Sequence, residues 1–494
     1  MGARLQLSRP GASSMACARF CSISRSAQAP RACHRAARML QLRTASRQKT
    51  PGYDSDEYPV STPDYPRPRS NAGVADWASR QFKKSAPGNV AKACLLISLE
   101  EEAAAQAAYA EADGLEANHA NMRGGVGVAS TWSLKRVHNM TNDVLSAFYA
   151  RLRDLTPTPH PPALLQETST SAPAVPGQPE VPETPHERHR RMVRSYPLEL
   201  ISAVNQVLFE RHGYRRQQAH GDPRNSLLSH VLESGLGSPA AMAVLFQEVC
   251  RRSGLDLLPV ALEGGRYFVL VPADDSVSLR AAGEAFVVDP YSQGMLLSAS
   301  EVKELFAVED ELRPCSNAEM IAGVLTVLLE LHWCAALGCP PEPLLSVPIS
   351  LEVALGEYRD VEVQTRTGEA DGKRYFTVNF LEGQAAQHSG GGGQWWPARA
   401  YNLQRAVAAA RKRVWLLPGD LQAQLQYGLL LFFDTQYQEA WQEMGNVLKE
   451  ARLEAAAGRA QPTFTAEEIQ QLEVLLEKTR LLRGPKVLYH SREF

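Results

Sequence analysis

Apolar side chains along this chain recur first at helical and later at strand spacing, and that change of period organises it. Near Val90 the run AKACLLISLEEEAAAQAAYAEA combines strong helix formers with apolar positions at helical intervals. A second helix is predicted from about Ser133 to Leu155, apolar at Leu134, Val137, Met140, Val144 and Phe148. From Thr156 to Thr184 Pro, Ser and Thr replace the pattern, a composition that cannot bury a core. Residues 156–192 therefore read as a disordered insertion. Regular structure is predicted to resume at Pro197, where Leu200, Val204, Val207 and Leu208 share one helical face before Gly213. Another helix opens at Asp222–Ser226, with Asn225 or Ser226 as its N-cap candidate. Pro239 to Arg252 reads as a long apolar helix with proline in its first turn, where no N–H is needed. Strand candidates follow at Asp256–Ala261, Arg266–Val271 and Ala285–Val288, so the expected class is α+β.

Further on, Ile321 to Gly338 is the most membrane-like segment, but Glu330 and His332 interrupt it, and a buried helix is the better reading. Val361–Thr367 and Lys373–Phe380 alternate in type around a Gly-bounded loop, which predicts a β-hairpin. Gly390–Gly393 form a joint, and Trp395–Trp396–Pro397 open a helical tail. In that tail Ala406 and Ala440 lie 34 residues apart, with Pro418, Tyr427, Gly428 and Tyr437 between them. These are the small, aromatic and proline positions of a tetratricopeptide repeat, with a plain helical hairpin as the competing reading.

Charge changes the picture at the start. Met1 to Tyr53 holds nine Arg, one Lys and no acidic residue; taking those ten charges from the net −2 leaves −12 for the rest. Arg- and Ser-rich, acid-free composition predicts an organellar transit peptide at 1–50, with a disordered basic tail as the alternative. Abundant Ala and Ser favour the chloroplast over the mitochondrion. A Pro-rich stretch then predicts a disordered linker at 51–85. The acidic remainder argues against nucleic acid as a partner. The cysteines and histidines show no metal-ligand spacing, so no metal or cofactor is expected.

The segments NQVLFERHGYR, DPRNSLLSHVLESGLGSPAAMAVLFQEVCRRSGLDLLPV, GGRYFVLV and FVVDPYSQGMLLS resemble the SirB-type transglutaminase-like family. The resemblance implies a papain-like α+β domain over 86–300 and a tetratricopeptide-like tail at 396–484; on 301–395 it says nothing, and that stretch reads as an insertion with a buried helix and a β-hairpin. In active relatives a Cys opens the central helix, a strand-borne His deprotonates it and an Asp orients the His. The resemblance places those roles on Pro239, Arg266 and Asp289. Proline has no nucleophilic atom, and arginine remains protonated at any ordinary pH. Only the Asp could keep its role. One expectation is an Arg266–Asp289 ion pair in place of the His–Asp pair; the competing one is an exposed Arg266 and an Asp289 that caps a turn before Pro290.

The expected function is therefore a non-catalytic scaffold for a protein or peptide partner, with Trp395, Trp396, Trp415 and Trp441 as candidate contacts. The competing use of those tryptophans is packing of the tail on the main domain. The competing function is a cysteine or serine hydrolase, or acyl transferase, with a rearranged site at Ser238 or Cys250. No membrane span is expected.

Overall fold

The computed structural model describes residues 71–86, 88–112, 126–155, 184–217, 222–273, 286–337, 348–355, 399–457 and 462–483. The predicted hairpin, Gly390–Gly393, Trp395 and Trp396 lie outside them.

Two stretches expected to lack structure are helical. Helix α1 (Asn71–Ser85) lies in the predicted linker. Val74, Ala78 and Phe82 recur every four residues, and all three are buried. The Pro-rich composition before it had masked that period. Helix α2 (Val90–Ala112) packs on α1, and α3 (Val126–Leu155) buries the expected Val137, Met140, Val144 and Phe148. Regular structure resumes at α4 (Pro185–Ser195), inside the predicted insertion rather than at Pro197. Only His189 and Val193 of α4 are buried, too sparse a stripe to register as a period. Its start is fixed locally: Thr184 and Glu187 form a reciprocal capping box, with Pro185 in the first turn.

Helix α5 (Pro197–Asn205) runs into a π-helical turn at Gln206–Arg211. A two-residue strand β1 (Arg215–Arg216) pairs in parallel with β2 (Leu236–Gly237). Between them Pro223–Ser226 forms a 3-10 turn capped by Asp222, not by Asn225 or Ser226, and α6 (Leu228–Ser234) ends at left-handed Gly235. Helix α7 (Pro239–Arg252) matches its predicted limits, and every residue from Ala240 to Cys250 is buried.

Strands β3 (Leu257–Leu262), β4 (Tyr267–Pro272), β5 (Phe286–Asp289) and β6 (Met295–Ser298) form one antiparallel sheet in that order. Three start one residue after their predicted positions; β6 was not anticipated. Alternation sorts the sheet's side chains. Phe268, Leu270 and Val288 join the main core with α7, while Val260, Val269 and Val287 meet α8 (Ala299–Phe306) on the other face. The free edge of β3 is closed: Gln247 Nε2 donates to Leu257 O, Cys315 N donates to Pro259 O, and Pro259 has no N–H.

Helix α9 (Asn317–Leu337) is long and apolar enough to cross a membrane, yet most of it is buried in the fold. Although it falls in the predicted insertion, its buried residues belong to the main core. At Gly323 a Cβ would lie 2.3 Å from Gly265 O and 2.5 Å from Phe268 Cζ, so this crossing requires glycine. On its other side α9 packs against α11 (Arg399–Leu416), which follows the short α10 (Leu351–Leu355). Helices α12 (Leu421–Phe433), α13 (Tyr437–Ala456) and α14 (Ala466–Leu482) continue in pairs. Helices α12 and α13 meet at Gly428, where a Cβ would stand 2.6 Å from Met444 Cγ.

Buried charges join the parts. Arg405 of α11 donates to both Glu101 oxygens and, at 3.1 Å, to Glu100; Lys412 Nζ lies 2.6 Å from Glu100. His332 of α9 lies 3.3 Å from Glu101 and 3.2 Å from Asn402. All six residues are buried. Burial alone would raise the Glu101 carboxyl; Arg405, with His332, more than reverses this and holds it well below the ordinary range.

Removing one partner strands the others, so Arg405→Ala is expected to destabilise the protein by about 3–5 kcal/mol in urea denaturation. A lowered carboxyl contributes stability above the ordinary carboxylate range that is lost as pH falls below it. The urea midpoint should therefore drop below about pH 4, and drop less steeply in Glu101→Gln.

Candidate functional site

The start of α7 is where the resemblance places a nucleophile. Ser238 caps the helix there: its Oγ accepts from Ala241 N at 3.4 Å, its own N–H donates to Asn225 O at 2.7 Å, and it is buried. Pro239 is the first helical residue. No nucleophilic side chain stands free at this terminus.

The residue facing Asp289 is Tyr267, not Arg266. The Tyr267 hydroxyl lies 2.8 and 2.9 Å from the two Asp289 oxygens, and Asp289 Oδ1 also accepts from the N–H groups of Tyr291 at 3.0 Å and Ser292 at 3.2 Å. Asp289 is fully buried, so these donors replace its hydration. Burial first, then the Asp289 charge, pushes the Tyr267 phenol far above its usual range. It remains a hydrogen-bond donor and cannot serve as a base at neutral pH. Alternation puts this pair on the side of the sheet that carries Val269 and Val287, with the Tyr267 ring 4.8 Å from that of Phe306 in α8. Helix α7, with Ser238 and Pro239, covers the opposite side.

The expected Arg266–Asp289 ion pair does not form. Gly264 and Gly265, at φ +67° and +84°, turn the chain so that Arg266 pairs with Glu330 of α9, Nη2 to Oε1 at 2.6 Å. That pair is half exposed. Sequence reasoning assigned the strand position one residue early. The signal that could have corrected it is the period of two: only every second residue of β4 shares a face with a given β5 side chain.

Three further residues complete the cluster and were not anticipated. Arg216 Nε donates to Tyr291 O at 2.6 Å, its Nη2 donates to Ser292 Oγ, and its guanidinium lies 5.1 Å from the Tyr291 ring centre. The Tyr291 ring meets Tyr267 edge-on at 5.7 Å. Asn205 Nδ2 donates to Gly294 O at 2.9 Å. Gly294 has φ +70°, and a Cβ there would collide with Asn205. The arrangement locks a turn; it does not present a reactive atom.

Neither Cys250 nor Cys94 presents a thiolate. Cys250 is fully buried and its ionisation is pushed far up by burial; burial also pushes the Cys94 thiol up to about 12. Among the described residues no group of three His, Cys, Asp or Glu side chains is placed to hold a metal ion. Trp415 lies 5.8 Å from Phe82 of α1, and Trp441 lies under the Arg483 guanidinium at 4.5 Å, so both have packing partners.

A family model described as the transglutaminase-like superfamily matches residues 177–326. This part of the chain is a transglutaminase-like domain. Its match runs past residue 300 into α9, in agreement with the packing of that helix on the sheet. Among curated proteins the chain is similar to a UPF0162 protein of Xylella fastidiosa strain Temecula1 and to another of strain 9a5c. Each is 38% identical over 113 residues, covering 23% of this chain and 37% of the relative. The chain thus spans little more than a third of the length of the curated relatives it matches. No solved structure matches it.

Tyr267→Phe removes one donor from a buried carboxylate and should lower stability by about 1–3 kcal/mol. Arg266→Gln, which opens a half-exposed pair, should cost less than about 1 kcal/mol. Equal losses in chemical denaturation would contradict the assignment of Tyr267 as the residue that holds Asp289.

Proposed function

We propose that this protein is a non-catalytic scaffold: a SirB-type transglutaminase-like domain that has lost its chemistry, joined to a tetratricopeptide-like tail that presents a surface to a protein or peptide partner. The Arg-rich N-terminus directs it to the chloroplast, with the mitochondrion as the alternative. The observation that carries the reading is the engagement of Asp289 by Tyr267 and two backbone N–H groups on the α8 side of the sheet, opposite the side that α7 covers. The group opposite the carboxylate is a tyrosine that does not ionise near neutrality, so it cannot take the part of a base. The Ser238 hydroxyl is committed to the α7 cap. The tail supports an interaction role through its paired helices, with Tyr427, Gly428 and Ala440 buried at tetratricopeptide-like spacing.

Two measurements bear on this. Site-resolved mass spectrometry after iodoacetamide or fluorophosphonate treatment at neutral pH should leave Cys250 and Ser238 unmodified in the folded protein. Stoichiometric labelling of either would revive the hydrolase alternative. Affinity capture from organelle extract should recover a stoichiometric partner, and Trp441→Ala, which leaves the buried ionic joint of the tail in place, should weaken its capture. Undiminished capture by that variant would move the interaction surface off Trp441.

A further inference from the structure

An open cavity of about 160 Å³ lies where α11 and α12 meet the turn into α13. Gln404, Val407, Ala408 and Arg411 line it from α11, at the spacing of one helical face. Tyr427 lines it from α12, and Asp434 and Gln436 from the turn. Val407, Ala408 and Tyr427 are each only 8% exposed, so an apolar floor lies under a polar rim. The turn that carries the rim is fixed by its own backbone: the N–H groups of Asp434, Thr435 and Gln436 donate to the carbonyls of Leu430, Phe432 and Leu431 at 2.9, 3.1 and 2.9 Å. A cavity of roughly 150 Å³ accommodates a group the size of benzene.

The polar groups here are not satisfied. Tyr427 is more than nine-tenths buried, yet its hydroxyl makes no hydrogen bond among the described residues. A buried hydroxyl without a partner is costly, and this one lines a cavity. Asp434 accepts from Gln436 Nε2 on one oxygen, and no described cation stands against it. Burial first raises the Tyr427 phenol; the Arg411 charge opposes that rise, and Glu443 and Glu439 of α13 add to it. All three charges are therefore close to the Tyr427 hydroxyl. Burial also raises the carboxyls of Asp434 and Glu443, as it does for acids that no cation holds down. Three acidic side chains against one basic one leave this part of the tail electronegative.

We propose that this cavity seats one lysine or arginine side chain of the partner peptide, an inference that rests on the reading of the tail as the interaction surface. Long basic side chains lay their aliphatic stem on apolar surface and keep the charged head on polar groups. Val407, Ala408 and Tyr427 supply that surface. The Tyr427 hydroxyl accepts from the head and gains the partner it lacks, while Asp434 supplies the opposite charge. Arg411, exposed and without an ion pair among the described residues, has donors left for a carbonyl of the peptide backbone. A carboxylate fits less well, because pairing with Arg411 would bring it to Asp434, Glu439 and Glu443. A neutral side chain would leave Asp434 without a cation.

The test uses the full chain and capped hexapeptides of alanine and serine that differ only at one central position: Lys, Arg, norleucine or Glu. Each is titrated by saturation-transfer NMR at about 50 mM salt, where screening is modest. The Lys and Arg peptides should bind at least about tenfold more tightly than the other two, with transfer strongest on the methylenes of the basic residue. Asp434→Asn should weaken the Lys peptide about tenfold, and Tyr427→Phe about threefold, in variants whose thermal melts match the parent. Arg411→Gln should change it by less than about threefold. Equal binding of all four peptides, or no binding of the basic ones, would overturn the proposal. So would a preference for Glu that is lost with Arg411, which would make the occupant an anion. Partner capture from extract is the separate readout. If capture succeeds but Asp434→Asn leaves it undiminished, the cavity is removed from the interaction and the scaffold reading stands. If the basic peptides bind as expected but no partner is captured, the scaffold reading falls and the basic-side-chain site remains.

Discussion

Glu100 and Glu101 sit in the middle of α2, buried, and a pair of adjacent carboxylates in that position is untenable alone. They are made tolerable by Arg405 and Lys412 of α11 and by His332 of α9, residues more than two hundred positions away. The helices before the transglutaminase-like domain, its last helix and the first helix of the tail therefore form one ionic joint. None can leave without stranding charge in the interior. This constraint makes the tail an integral layer of the molecule, and the long contact of α9 with α11 follows from it. The aromatic contacts of Phe82 with Trp415 and of Trp333 with Phe433 fill the space on either side.

Within that frame Asp289 is the centre of a structural knot. Asp289 holds Tyr267 and the following turn, Arg216 clamps that turn from β1, and Gly294 lets Asn205 reach it from α5. Each contact rigidifies the end of the sheet. The charge that the resemblance expected at Asp289, Arg266, serves instead to fasten β4 to α9 through Glu330. Asp289 thus anchors the turn that follows β5 through its hydrogen bonds.

Much of the scaffold was legible in the chain. Helix α7 was bounded correctly because a proline, a capping serine and an unbroken apolar run agree there. Three strands were found within one residue because β-branched and aromatic residues cluster between turn-forming glycines. What escaped had weak local signals. Helix α4 buries two residues, α1 follows a Pro-rich run, and β6 is four residues long with Met295 and Leu296 largely exposed.

The sequence by itself determined the α+β class, the central helix and the buried character of the long apolar helix. Composition and period are local properties, and those features depend on little else. Only the tertiary structure decided which residue meets Asp289 and where Glu330 and His332 find their partners. Those outcomes depend on strand register, on the turn at Gly264–Gly265 and on contacts between distant segments, where a shift of one residue reverses the direction of a side chain.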